Sequence, residues 1–395
     1  MRDLLQNFKS NTSVMENMKN TFKKTTLAMT MAAAGLVFTG AASADTTVKV
    51  SGYLKATAMY TTTNDGSLAG GSVPRSFYVL SATPVGGESS SAFDADARES
   101  RFRFVSSTDL GNGEKITGLF ELDFQTTTEG NEAVSNSFAP RLRHALIKYG
   151  NWSVGQTWST FMNLGALAES VDFVGVSDGV PFVRQTQVRY SSNGFEFALE
   201  NPETFAGGVN DDNTVPDMVA AYTTKGDWGH VKVAGLLRQL RAYDPASDSS
   251  TSDTGAGIAV SGKIQLDGGN NIVWGINAGS GIGRYIGLAS AQDAYFNPTN
   301  GDLEAIDTLG YYAAYRHAWD ETSRTTVMFA AHDIDVTSAM AQTTTESVYS
   351  TRINYIWSPV KPISVGIEYA YAKRELANGA DGDLNRIQAM AKYVF

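Results

Sequence analysis

The chain ends in Ile387-Gln388-Ala389-Met390-Ala391-Lys392-Tyr393-Val394-Phe395. Successive side chains of a strand point to opposite sides, so Ile387, Ala389, Ala391, Tyr393 and Phe395 share one face, and Arg386 and Lys392 the other. The same alternation recurs upstream. Val48, Val50, Leu54, Ala56 and Ala58 stand against Lys49, Ser51, Lys55 and Thr57. Ile116, Gly118, Phe120, Leu122 and Phe124 alternate with Thr117, Leu119, Glu121 and Asp123. Ile258, Val260, Gly262, Ile264 and Leu266 alternate with Ala259, Ser261, Lys263 and Gln265. Ile363, Val365, Ile367, Tyr369 and Tyr371 alternate with Ser364, Gly366, Glu368 and Ala370. One apolar face and one mixed face over roughly 9–11 residues is what a strand crossing a bilayer requires.

Short connections read as tight turns at 110–113, 150–151, 192–194, 226–229, 267–270, 319–322 and 358–359. Long polar segments lie between them at 63–97, 127–138, 159–183, 202–216, 242–254, 282–307, 335–346 and 375–384. Seven turns and eight loops separate sixteen strands. An even strand count with short periplasmic turns and long external loops describes a transmembrane barrel. Closure removes the sheet edges that so many strands would otherwise expose. Aromatic residues near strand ends fit girdles at the two membrane interfaces: Tyr53, Tyr60, Trp152, Trp158, Tyr190, Tyr222, Tyr315, Trp357 and Tyr393. A last strand that alternates and finishes on Phe resembles the assembly signal of bacterial outer-membrane barrels. The expectation is an all-β fold, a 16-stranded antiparallel transmembrane β-barrel over residues 45–395.

The N-terminus fits export. Lys19, Lys23 and Lys24 precede an apolar run from Leu27 to Phe38, which ends in Thr39-Gly40-Ala41-Ala42-Ser43-Ala44. That is a basic region, an apolar region and a small-residue cleavage site. Residues 1–44 therefore read as a signal peptide, cleaved after Ala44. Its basic region is longer than such a segment needs, which points to Met15 or Met18 as the true start. Beyond residue 45 no window holds 18 or more apolar residues, so no transmembrane helix is expected. The chain has no Cys, which removes disulfide frameworks and Cys-based metal sites. Its 38 Gly, 17 Tyr and 19 Phe favour turns and strands. A formal net charge of -10 argues against a nucleic-acid partner. The four histidines are His144, His230, His317 and His332. None stands in a recognised Ser/His/Asp arrangement or in a metal-ligand pair at i, i+4, so no enzyme, metal site or cofactor is expected.

If the apolar face looks outward, the other face lines the lumen. The alternation then puts Arg101, Arg103, Arg141, Arg143, Arg189, Lys263, Arg316 and Arg352 on the inner wall, joined by Lys55, Lys232, Arg238, Arg374, Arg386 and Lys392. The inward acids are fewer: Glu121, Asp123, Glu196, Glu200 and Glu368. The excess acid falls in loops, so an acidic chain acquires a basic interior. A low-dielectric wall focuses fixed charge into the lumen, and rings of Arg and Lys are how anion pores are built. Arg suits carboxylates because its planar fork meets both oxygens. A plainer reading stands beside this one. Arg101 and Arg103 are placed across the turn from Asp123 and Glu121, a cross-strand charge ladder that stiffens the wall. The segment 159–183 is too apolar for a loop bathed in water. It lies between the fifth and sixth strands and is expected to fold inward as a constriction loop, with Glu169, Asp172 and Asp178 facing the basic wall. The alternative for it is an amphipathic subunit contact.

The runs Glu99-Ser100-Arg101-Phe102-Arg103-Phe104, Gly118-Leu119-Phe120-Glu121-Leu122-Asp123-Phe124, Arg141-Leu142-Arg143-His144-Ala145 and Gly155-Gln156-Thr157-Trp158-Ser159-Thr160-Phe161 resemble the DcaP-like porin family. Val183-Arg184-Gln185-Thr186-Gln187-Val188-Arg189-Tyr190 is similar to its next strand. The resemblance spans essentially the whole mature chain. It implies a homotrimeric porin of the bacterial outer membrane, in contact with lipid and lipopolysaccharide, passing small anionic solutes with dicarboxylates among them. Arg101, Arg103, Arg141 and Arg143 sit in matching runs and are carried over as candidate eyelet arginines. Some members carry a helical extension before the barrel. Here the first strand is expected to begin within about three residues of Asp45, so no such extension is expected. The alternative function is a general or sugar-selective diffusion porin without anion preference. Sugar sites need aromatic slides; Tyr53 and Tyr312 could face inward, but no continuous track appears.

Overall fold

The computed structural model describes residues 45–395 apart from 127–129, 132–133, 208–209 and 245–247. The expected signal peptide, 1–44, lies outside the described residues. Eighteen hydrogen-bonded segments form one sheet, and two strands are each split in two, which leaves sixteen. They are β1 (Thr46–Thr63), β2 (Ser90–Asp96 and Arg101–Asp109), β3 (Lys115–Asp123), β4 (Arg141–Tyr149), β5 (Trp152–Trp158), β6 (Arg184–Ser192), β7 (Phe195–Glu200) and β8 (Asn210–Asp211 and Asp217–Gly226). There follow β9 (Gly229–Asp244), β10 (Ser249–Gln265), β11 (Asn271–Ser280), β12 (Asp307–Ala318), β13 (Ser323–Ile334), β14 (Thr345–Val360), β15 (Ile363–Leu376) and β16 (Asp381–Val394). Each pairs antiparallel with its neighbour in the chain. β16 pairs back onto β1, Tyr53 opposite Val394 and Thr63 opposite Leu384, so the sheet is closed.

The alternation decides which face meets lipid. On β14, Val348, Ser350, Arg352, Asn354 and Ile356 are buried, while Tyr349, Thr351, Ile353, Tyr355 and Trp357 are exposed. Outward apolar side chains cost nothing in hydrocarbon, and inward polar ones keep access to water or to one another. Of the aromatic residues assigned to girdles, Tyr60, Trp152, Tyr190, Tyr222, Tyr315, Trp357 and Tyr393 lie exposed on the outer face. Tyr53 and Trp158 do not. Tyr53 takes an inward position, with Lys392 Nζ 4.4 Å and Arg101 Cζ 5.1 Å from its ring centre. Trp158 is the last residue of β5, where the chain leaves the sheet, and it turns into the lumen against Phe182.

Simple alternation also fails on β4. Glu121 pairs with His144 but Leu122 pairs with Leu142, so Arg143 is an extra residue in a bulge. A bulge re-aims side chains and shifts the phase beyond it. Arg143 and His144 are both buried inside, and Leu146 and Lys148 follow them inward. Ile147 and Tyr149 turn out to lipid.

The lumen is not empty. Three long loops fold into it: L1 (64–89), L3 (159–183) and L6 (281–306). Phe161 of L3 and Ile282, Tyr285 and Ile286 of L6 pack with Val219 and Leu236 of the wall. Leu68, Tyr78 and Leu80 of L1 pack with Val348, Ala372 and Leu384.

The seam is tight at Gly52. Its N–H donates to the Phe395 carbonyl (3.0 Å) and the Phe395 N–H donates back (3.1 Å). A Cβ on Gly52 would lie 2.1 Å from the Arg101 carbonyl oxygen. Gly52→Val is therefore expected to weaken closure by about 1–3 kcal/mol, the usual cost of overpacking. Urea unfolding of the refolded barrel, followed by heat-modifiable electrophoretic mobility, would show a lower midpoint.

Candidate functional site

L3 crosses the barrel and is fastened to the far wall. Asn163 Nδ2 donates to Ser261 Oγ on β10 (3.0 Å), and Asn277 Nδ2 on β11 donates to the Gly179 carbonyl (2.6 Å). Glu169 pairs with Arg316 on β12 (3.1 Å) and Arg324 on β13 (2.6 Å). Ser170 Oγ donates to Glu368 on β15 (2.7 Å). Asp172 pairs with Arg352 on β14 at 2.8 Å. Arg352 also lies 3.4 Å from Glu368, and its guanidinium stands 4.7 Å from the Tyr78 ring centre of L1. Asp178 accepts hydrogen bonds from Tyr78 Oη (2.7 Å) and from the Ser350 hydroxyl. On β1, Lys55 pairs with Glu99 and donates to the Val171 carbonyl.

The three loop acids thus lie against the β12–β14 wall. Glu169 and Asp172 meet cations there, and Asp178 meets hydroxyls. Arg352 and Asp172 are almost fully enclosed, and charges that deep persist only when paired. These contacts anchor the loop. Arg352 is consumed by them. Arg316 is divided between Glu169 and the Gly269 carbonyl. Lys263, on β10 opposite His230, has no ion pair among the described residues but lines neither of the cavities described next.

On the opposite side L3 meets the wall built by β2 to β9 at Phe161, which packs on Val219 and Leu236, and at Met162, whose carbonyl accepts from Lys232, and it stands off much of the rest. A cavity of about 590 Å³ opens there toward the short turns, lined among others by Arg101, Arg103, Lys148, Arg189 and Lys232. A second, of about 290 Å³, opens toward the long loops and is lined by Arg141, Arg184, Arg284, Phe77, Phe173 and Phe182. Trp158 belongs to both linings. Its ring centre lies 4.6 Å from the Arg184 guanidinium and 5.7 Å from that of Arg143.

Acid is scarce around the two cavities: Glu121 and Glu196 line the larger one, and these two and Asp123 each serve two cations. Glu121 holds Arg143 (2.8 Å) and Arg101 (3.6 Å). Asp123 holds Arg143 (2.7 Å) and Arg141 (2.9 Å). Glu196 holds Lys232 (2.8 Å) and Arg189 (3.3 Å). Arg103, Lys148 and Arg184 have no acid partner among the described residues. The expected ladder has the right register, with Arg103 opposite Glu121, but not the expected pairing. The bulge brings Arg143 across to Glu121 and leaves Arg103 free. Alternation missed Lys148, which lies beyond the bulge. It also missed Arg184 and Trp158, which sit at strand ends out of phase with their neighbours.

Two measurements test the anchoring. Arg352→Met strands the Asp172 and Glu368 carboxylates, at a cost of about 3–5 kcal/mol. A lower unfolding midpoint together with a higher single-channel conductance is expected, because a loosened L3 widens the path; unchanged conductance would show that L3 does not restrict it. The second concerns Glu169. Burial pushes its carboxyl up, but the Arg324 and Arg316 contacts outweigh burial and hold it below the usual range. A depressed carboxylate keeps its contact above the unfolded value and loses it as pH falls through the folded one. Conductance should therefore hold steady from neutral pH to the ordinary Glu range, about 4.3, and change only below it.

A closed sixteen-stranded barrel with an apolar outer band and a charged interior is an outer-membrane channel of the porin class. The chain matches the family model of the DcaP outer membrane protein over residues 17–395 and belongs to that family. Among solved structures it is similar to the outer membrane channel DcaP of Acinetobacter baumannii, with a TM-score of 0.74 at 24% identity, covering 89% of this chain and 97% of that one. It is also similar to an anion-selective porin from Comamonas acidovorans, with a TM-score of 0.55 at 12% identity over 89% and 100% of the two chains. OmpT of Vibrio cholerae gives 0.54 at 12% identity over 89% and 98%. At these identities the likeness concerns the fold. A search of curated proteins returns no significant match.

Proposed function

We propose that this outer-membrane channel passes small anionic solutes by passive diffusion, (di)carboxylates among them, and acts as a homotrimer without enzymatic activity. One observation carries the reading. Around the two cavities Glu121, Asp123 and Glu196 are each shared by two cations, while Arg103, Lys148 and Arg184 have none to share. The net field along the path is positive, and low-dielectric walls concentrate it. Guanidinium groups favour carboxylate over a bare point charge because their donors match both oxygens. The trimer follows the trimer form described for Vibrio cholerae OmpT.

The test is a reversal potential across a potassium chloride gradient in a planar bilayer. Anion preference is expected, and cation preference in the intact protein would sink the reading. Arg103→Glu with Lys148→Glu should lower the chloride-to-potassium permeability ratio. An anion at 4 Å gains about 1 kcal/mol per charge in bulk water, which is roughly a fivefold effect for each charge altered. Liposome swelling with equal-sized neutral and carboxylate solutes separates this from a sugar-selective pore, for which equal rates are expected.

A further inference from the structure

The β2–β9 side offers two separate volumes, not one bore. Resting on the anion-channel reading, we propose that the lumen holds two anion subsites in series, occupied together, so that one anion displaces the next in single file.

The outer subsite is centred on Arg184. Its guanidinium stacks on Trp158 and makes no hydrogen bond to the described residues, and its Nη1 is buried without a partner. Arg141 and Arg284 line the same cavity, and the rest of its wall is largely apolar, with Phe77, Phe173 and Phe182. A weakly hydrated planar cation in an apolar setting takes an oxyanion directly, stripped of water, through parallel N–H donors.

The inner subsite is different in kind. Its cavity is about 590 Å³ against about 290 Å³. Arg103 and Lys148 are its free cations, and Ser153, Thr157 and Ser191 bring hydroxyls to the same lining. Room and hydroxyls together suit an anion that keeps bridging waters. Between the two stand Trp158 and Arg143, the latter already held by Glu121 and Asp123.

The spacing allows joint occupancy. Arg184 borders the outer cavity and Arg189 the inner one, and both lie on β6. Five strand residues correspond to roughly 16 Å at about 3.3 Å per residue. Low-dielectric walls screen the lumen less than bulk salt does, so two anions this far apart repel weakly, enough to hasten exit without barring entry. A pore must bind firmly enough to select and loosely enough to release, and repulsion between adjacent occupied sites reconciles the two.

The experiment is single-channel conductance in mixtures of potassium chloride and potassium acetate at fixed total concentration. Joint occupancy predicts a minimum in the mixture, below the value in either pure salt. Arg103→Gln with Lys148→Gln empties the inner subsite, and Arg184→Gln empties the outer one. Each should abolish the minimum and also lower the anion preference that the reversal potential reports. Heat-modifiable mobility confirms that both variants are folded barrels. A monotonic dependence in the intact protein, with anion preference retained, overturns the two-subsite proposal alone, as does a minimum that survives both variants. Cation preference in the intact protein overturns the channel reading, and this proposal with it.

Discussion

Hydrocarbon offers no hydrogen-bond partner to a peptide group, and the rest of the molecule follows from that. Every strand must find two neighbours, so the sheet closes, β16 onto β1. Closure gives each strand one face for lipid and one for the lumen. Alternation then drives ionisable side chains on the strands to the inside. The interior becomes crowded with charge because the exterior cannot accept it. Charge enclosed in protein must in turn be paired, and L3 supplies part of the pairing.

The pairing is uneven around the barrel. On the β12–β15 side, Glu169, Asp172 and Glu368 are matched against Arg316, Arg324 and Arg352. There the loop acids and the wall arginines come close to balance. Around the two cavities on the β2–β9 side, three shared carboxylates leave cations over. L3 thus has two effects from one placement. It fills part of the lumen, and it spends its acids on the β12–β15 wall. A formal net charge of -10 for the chain says nothing about the sign of that path.

Much of the fold was legible in the sequence because period-two alternation is a local signal with a global cause. Strand count, most turn positions and the inward course of 159–183 could be read from patterns a dozen residues long; the turn expected at 358–359 falls instead at 361–362, because β14 runs on through Ser358 and Pro359 past a register shift after Trp357. The site was less legible. The bulge at Glu121 and Leu122 is an event between two strands, and nothing within Arg141-Leu142-Arg143-His144 marks which residue is extra. It decided that Arg143 reaches Glu121, that Arg103 is left free and that Lys148 faces inward. Trp158 read as a girdle residue because its side chain and position fit one. Its inward turn depends on Phe182 and Arg184, which meet it only once L3 has folded back. L1 and L6 read as external loops, because their apolar residues are scattered and find one another only in the closed barrel.

The anchoring of L3 also sets an order of construction. Asp172 is held by a residue 180 positions further along the chain, and Ser170 by one 198 positions further. Those partners sit on β14 and β15, among the last strands to be made. Lys55 on β1 completes the seat beneath Val171, beside the seam that β16 closes. The middle of the loop, 169–172, therefore has nowhere to rest until the wall is nearly whole, and the entropy of tethering so long a span is lost late. A half-assembled barrel lacks its stopper. Closing the barrel and seating the middle of L3 are thus one event, because the strands that complete the wall are also the strands that hold Ser170 and Asp172.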